Sequence, residues 1–221
     1  MIITIDGPAG AGKSTVAKAL ARRLGFRFLD TGAMYRAVAL AGLRAGVDWS
    51  GPEELSRLAA GLQIEVDGDR TLLNGEDVTD AVRQSEVTAL TRFAADNAQV
   101  RDRLVRLQRE LAANGNVVTE GRDQGTVAFP DADFKVFLTA TPEERARRRL
   151  HDLQRQGERV LYHDLLAQQE RRDREDAARP VGPLRRAPDA VEVVTDGMSF
   201  DAVVNHLVEL VNDRRRTAED R

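Results

Sequence analysis

The chain has 221 residues, with 33 basic against 36 acidic side chains and a formal charge of −3, a balance that gives no bulk electrostatic case for binding nucleic acid or an anionic membrane. It contains no cysteine, which excludes disulfide and thiolate–metal staples. A chain of this length buries roughly 70–75% of its unfolded surface, enough for one domain with an insertion, and no stretch approaches the ~18 apolar residues of a membrane span.

The chain opens on Met1-Ile2-Ile3-Thr4-Ile5-Asp6, with no basic segment ahead of a long apolar run. This is not a secretory leader, and the expected location is cytoplasmic. Ile2 to Ile5 reads as a buried strand closed by Asp6-Gly7-Pro8. Val16, Ala17, Leu20, Ala21 and Leu24 then recur at helical spacing, and Gly25 stops the helix. Phe26 to Leu29 fits a second strand, after which Thr31 can cap a helix bearing Met34, Val38 and Ala41.

Ile64-Glu65-Val66 and Thr71-Leu72-Leu73 flank Asp67-Gly68-Asp69-Arg70, the pattern of a hairpin. Helices are expected over 83–97 and 100–113, the second with Leu104, Leu107 and Leu111 on one face. Asn114-Gly115 breaks the chain, Asn116 to Thr119 reads as a strand ending at Glu120-Gly121-Arg122-Asp123, and Phe134 to Leu138 as another. Thr141-Pro142-Glu143-Glu144 has the form of an N-cap, a first-turn proline and a capping box. The charged stretch 155–186 reads as solvent-facing or mobile. Val191 to Val194 is the last strand, Ser199 can cap a final helix, and a frayed tail is expected from Arg214. Strands alternating with helices predict an α/β fold with a central, largely parallel sheet.

Gly7-Pro8-Ala9-Gly10-Ala11-Gly12-Lys13-Ser14 matches G-x4-G-K-[ST] between an apolar strand and an amphipathic helix. Glycines let backbone N–H groups turn inward as a nest for phosphate oxygens, and the helix N-terminus adds its own unpaired donors. Lys13 can reach the β- and γ-phosphates and Ser14 can ligate Mg2+, so residues 7 to 15, through Thr15, are the expected ATP site. The loop does not identify the acceptor, which could be water, a small molecule or nothing. An Asn-Lys-x-Asp guanine-reading motif is absent. Bringing two anions together in line calls for arginines from separate segments. Only Lys13, Lys18 and Lys135 are lysines; the other thirty basic residues are arginine. Arg36 and Arg122 follow strands, where a parallel sheet gathers ligands. Arg172, Asp176 and Arg179 fall at i, i+4 and i+7. Asp30, Asp123 and Asp176 suit either ion pairs with these arginines or contacts to ribose and base. Tyr35 suits site or core, Lys18 the surface, and Arg145, Arg147, Arg148 and Arg149 either nucleotide phosphates or solvent.

Several segments, in order along nearly the whole chain, carry a family resemblance. They are Ile5-Asp6-Gly7-Pro8 with the loop, Leu29-Asp30-Thr31-Gly32-Ala33-Met34-Tyr35-Arg36, Leu73-Asn74-Gly75-Glu76-Asp77-Val78-Thr79, Val100-Arg101, Gln108-Arg109, Glu120-Gly121-Arg122-Asp123 with Gly125-Thr126, Arg172-Asp173-Arg174-Glu175-Asp176, Arg179, and Thr195-Asp196-Gly197-Met198-Ser199. The chain resembles the bacterial cytidylate kinases, within the nucleoside monophosphate kinase group of P-loop kinases. The resemblance implies a core over 1–46 and 84–221, a monophosphate-binding insertion over 47–83 and a lid near 149–159. It implies transfer from ATP, with Mg2+, to CMP or dCMP by a monomer. It also implies that Arg36, Arg122 and Arg179 hold the acceptor phosphate, that Arg101 and Asp123 read cytosine, that Thr31 lends a hydroxyl, and that Arg172 and Asp176 flank the acceptor with Asp176 on its ribose. Many members carry serine where this chain has Thr31, and Thr91 is the nearest equivalent of a base-contacting serine. The rival readings are a kinase of another small acceptor and a nucleotide-dependent binding protein without transfer.

Overall fold

A computed structural model describes residues 1–155 and 157–219. Five parallel strands, β1 (Ile2–Asp6), β2 (Arg27–Asp30), β6 (Val117–Gly121), β7 (Phe134–Thr139) and β8 (Val191–Val194), form a sheet in the order β2-β6-β1-β7-β8. Ile3, Thr4 and Ile5 are fully buried, as expected of a central strand covered on both faces. On one face α1 (Lys13–Leu24) and α8 (Phe200–Glu219) pack through Val16, Leu20, Leu207 and Val211. On the other face lie α2 (Thr31–Ala45), α4 (Ser85–Ala95) and α5 (Ala98–Ala112), around Met34, Val38, Val87 and Leu104.

Between α2 and α4 come α3 (Glu53–Gly61) and an antiparallel sheet of β3 (Ile64–Asp67), β4 (Arg70–Leu73) and β5 (Glu76–Asp77). Alternation puts Ile64, Val66 and Leu73 inward, and they join the same apolar core as α2 and α5. The hairpin tip reaches back to α1 through an exposed Lys18–Asp69 ion pair. Of the elements beyond β7, α6 (Pro142–Arg155) packs on α7 (Tyr162–Ala178) through Ala146, Leu153 and Leu165. Among the described residues no helix is long and apolar enough to cross a membrane.

Four local expectations need correction. The stretch 155–186 holds an ordered helix, α7, with Leu165, Gln169 and Asp176 buried. Asp30, rather than Thr31, caps α2, accepting from Ala33 N at 2.8 Å, because Thr31 already has its hydroxyl committed to Glu120 O at 2.7 Å. Thr141 does cap α6, receiving Glu144 N at 3.3 Å. The reciprocal acceptor for Thr141 N is Asp196 at 3.1 Å, while Glu144 pairs with Arg147 and Arg148. The end of the chain continues as α8 to Glu219. There Arg214 donates to Asp133 O at 3.2 Å and Arg215 stacks over Phe26 at 4.9 Å. Position 156 of the expected lid and the last two residues of the expected tail lie outside the described residues.

Parallel register gathers the chemistry at one edge. Asp6 pairs with Gly121 across β1–β6, and Asp30 with Glu120 across β2–β6. Asp6, buried at 3% exposure, accepts Gln124 N at 2.8 Å and Gly125 N at 2.7 Å. It thereby ties β1 to the π-helical turn over Gln124–Ala128 that follows Asp123. Burial pushes its carboxyl up to about 6. Asp6→Ala strands two buried donors and should lower unfolding free energy at pH 4 by about 2–4 kcal/mol. A raised folded-state value favours the fold while the proton is kept, so this advantage over the variant should narrow as pH rises from about 4 through 6. Denaturant titrations of both proteins at several pH values check the trend.

Candidate active site

The loop leaving β1 is glycine-dependent at its first residue. Gly7 has φ +150°, and a Cβ there would collide with Leu138 O of β7. Gly12, φ +83°, begins α1 with no side-chain cap, so the first-turn N–H groups face the loop undistracted and make the positive end of α1 an anion seat. Lys13, 5% exposed, donates to Pro8 O at 2.8 Å. Burial, then the nearby Arg122 charge, pushes its ammonium down to about 7, against the pull of Glu120, Asp6 and Asp176. Ser14 Oγ donates to Glu120 Oε1 at 2.9 Å, joining α1 to the end of β6.

The Ser14–Glu120 pair suits a hard, oxygen-seeking divalent cation. Among the described residues no cluster of three or more His, Asp or Glu side chains forms a complete cage. Such a cation would take its remaining ligands from phosphate oxygens and water, as Mg2+ commonly does.

Across the edge, Arg36, Arg101, Arg122 and Arg179 are paired with carboxylates. Arg36 Nη2 meets Asp30 Oδ2 at 3.2 Å. Arg122 Nε donates to Asp176 Oδ2 at 2.7 Å, and Arg179 bonds Asp176 Oδ1 at 2.8 Å and Asp96 Oδ1 at 3.0 Å. Burial works to raise the Asp176 carboxyl, but Arg122 and Arg179 together outweigh it and hold the group below its ordinary value. Arg101 pairs with Asp123, donates to Ala95 O at 3.3 Å and lies 5.7 Å from the Tyr35 ring. Burial pushes Asp123 up, opposed first by Arg101 and then by Arg179. Arg172 is exposed on α7, in the field of Arg122, Arg149 and Arg179.

The structure thus brings Lys13, Arg122, Asp176, Arg179, Asp123 and Arg101 together, with Asp30 and Arg36 one strand over. It turns the Thr31 hydroxyl onto β6 backbone. Thr91 spends its hydroxyl on Val87 O at 2.9 Å. Residues that sequence reasoning left unassigned also meet here. Glu120 and Asp6 stood inside quoted motifs but read as strand ends. Gly182, φ +61°, packs its backbone directly on the Arg101–Asp123 pair, where a Cβ would strike both partners. No local pattern marks that contact, because it depends on the return of the chain after α7. Of the four arginines in the 145–149 run of α6, Arg145 is buried against the loop, Arg148 donates to Thr195 O at 2.7 Å, and Arg147 and Arg149 are exposed.

The sequence profile described as "Cytidylate kinase" matches residues 3–213. A cytidylate kinase of Rhodopirellula baltica is 49% identical over 96% of this chain and 93% of its own length. One of Geobacter sulfurreducens is 47% identical over 98% and 94%. A bifunctional pantoate ligase/cytidylate kinase of Synechococcus is 50% identical over 96% of this chain, which spans 45% of that protein. Among solved structures, the Thermus thermophilus protein TT1252 superposes with a TM-score of 0.51 at 23% identity, covering 96% of each chain, a likeness of fold.

Asp176→Ala removes the shared counter-ion of Arg122 and Arg179. At pH 7 it should cost about 2–3 kcal/mol of unfolding free energy. Because the native carboxyl titrates below its ordinary value, that difference should be full above about pH 4 and shrink as pH falls further. Equal stability of the two proteins in urea at pH 7 would contradict the coupling.

Proposed function

The chain belongs to the cytidylate kinase family and transfers the γ-phosphoryl group of ATP to CMP or dCMP, and we propose that Lys13, Arg36, Arg122 and Arg179 form the transfer site. One observation carries this reading. Arg122 is the charge that most depresses Lys13, while Asp176 binds both Arg122 and Arg179. The cations suited to an acceptor phosphate therefore stand beside the ammonium of the donor loop.

In this reading residues 7 to 15 cradle the ATP phosphates, and Lys13 draws off charge from the transferring group. Ser14 and Glu120 would hold Mg2+, which when bound neutralises phosphate oxygens. Arg36, Arg122 and Arg179 hold the acceptor phosphate, Arg172 adds positive charge, and Asp176 bonds the ribose. Asp30 orients Arg36, and Arg101 with Asp123 reads the base. Thr31 lends its hydroxyl near the acceptor, its proton given to Glu120 O and its oxygen left to accept. An acceptor phosphate oxygen forms the new bond to the γ-phosphorus as the bond to the β–γ bridging oxygen breaks, and ADP departs. No general base is required, since that oxygen is already anionic near neutral pH, so Asp123 is not assigned that role. Residues 47–83 form the monophosphate-binding insertion, and 149–159 a lid that limits loss of phosphate to water. The protein works as a cytoplasmic monomer without a nucleic-acid partner.

Because free Lys13 titrates near 7, phosphates that stabilise its charge must reload its proton above that pH. Calorimetry of ATP binding in buffers of different ionisation heat should show uptake approaching one proton per nucleotide at pH 8.5, and almost none at pH 6. Lys13→Ala should abolish the uptake and cut turnover by about 10²-fold or more. Uptake that persists in the variant would remove Lys13 from the role.

Arg122→Ala should raise KM for CMP and lower kcat with little change in ATP affinity, whereas Asp123→Ala should blunt the preference for CMP over UMP. Steady-state kinetics with both acceptors test the two assignments. An effect of Arg122→Ala confined to ATP, or unchanged selectivity in Asp123→Ala, would refute the one concerned.

A further inference from the structure

Arg145 lies on the first turn of α6, at the start of a run that the sequence offers as generic positive charge. It is 2% exposed, and all three nitrogens of its guanidinium donate. Nε donates to Ala140 O at 2.9 Å. Nη1 donates to Ala9 O at 2.9 Å and to Asp173 Oδ1 at 3.0 Å. Nη2 donates to Asp173 Oδ2 at 2.5 Å. Ala9 is the middle of the phosphate loop, and Asp173 belongs to α7. One rigid fork therefore joins the end of β7, the donor loop and the helix that carries Arg172 and Asp176 and leads into Arg179.

A second contact supports the same junction. Gln169, one turn before Asp173 and buried, sits against the next loop residue: a Cβ on Gly10 would come within 2.9 Å of its Nε2. Two successive residues of the loop thus abut two successive turns of α7. Asp173 and Asp176 are three residues apart on a continuous helix, about 4.5 Å along its axis at 1.5 Å per residue. The tie to the donor loop and the tie to Arg122 and Arg179 are consequently held at a fixed spacing.

From this geometry we propose that Arg145 and Asp173 are a positioning pair that sets the distance and line between the donor loop and the acceptor-gripping arginines. The proposal rests on the assignment of Arg122 and Arg179 to the acceptor phosphate. Neither partner touches the reacting atoms. The pair acts by fixing α7 against the loop, and in-line transfer is sensitive to such placement: a displacement near 1 Å costs on the order of 10²-fold in rate. A planar bidentate fork suits this task because it fixes orientation as well as distance, which a lysine ammonium does not.

The test uses Asp173→Asn, Arg145→Lys and the double variant, each assayed well below its own melting temperature with the folded fraction checked by circular dichroism. Positioning predicts that kcat per folded molecule falls about 10- to 100-fold while KM for ATP and for CMP each stays within about threefold. It also predicts that the double variant is no worse than the poorer single one, since the pair acts as a unit. If one single variant fails to fold, the other carries the test. A loss of activity that merely follows the unfolded fraction, or a rise in KM for ATP alone with kcat retained, overturns the proposal. Arg122→Ala run alongside separates the two levels. If it leaves CMP use intact, the acceptor-grip reading fails. If it cripples CMP use while both pair variants keep at least half of kcat, the positioning proposal alone fails.

Discussion

Mutual repulsion among the cations gathered at the carboxyl edge of the sheet is the constraint from which the rest follows. A site for two anions needs several positive charges close together, yet the protein must fold before either anion arrives. Here five of the guanidiniums have a carboxylate in hand: Arg36 has Asp30, Arg101 has Asp123, Arg145 has Asp173, and Arg122 and Arg179 share Asp176. These acids hold the forks in orientation. An incoming phosphate then meets groups that are already arranged, and ordering them adds little to the cost of binding.

The parallel sheet makes that concentration possible. Matching register along β2, β6 and β1 ends three strands within a residue of one level, so Asp30 lies beside Glu120, and Asp6 beside Gly121 one position on, although they are far apart in sequence. Asp6 then fixes the turn after β6 through two backbone bonds, and Gly7 lets the loop press onto β7. Lys13, unlike those five arginines, has no carboxylate partner among the described residues. It is buried with a backbone carbonyl as its hydrogen-bond partner and in the field of Arg122. Its charge is therefore the least secure of the site, and the most responsive to a triphosphate.

Much of this was legible in the residues. The phosphate loop, the 64–73 hairpin, the alternation of the parallel strands with helices along the chain and the Ser199 cap, which receives Ala202 N at 3.2 Å, follow from local pattern alone. The spacing of Arg172, Asp176 and Arg179 hinted at one helical face, and the helix is present. It was not read as ordered because α7 buries few apolar side chains: it is held by Leu165 and by polar contacts to distant partners, which periodicity does not register. The capping residue of α2 was displaced by one because the hydroxyl of Thr31 is claimed by β6, a contact across 89 positions. The Arg145–Asp173 fork and the backbone of Gly182 against Arg101 are tertiary in the same sense. Composition showed only that arginine was abundant, and the fold decides which copies are buried.

The contact between Lys18 on α1 and Asp69 at the hairpin tip has the opposite character. Both side chains are well exposed, at 37% and 61%, and pairs of that kind contribute about 0–1 kcal/mol and fade with added salt. The root of the same segment is anchored by Ile64, Leu73 and Val82 in the shared apolar core. Packed at its base and joined to α1 at its tip by this pair, the hairpin gains from the contact an increment that ionic strength can erase without touching the core.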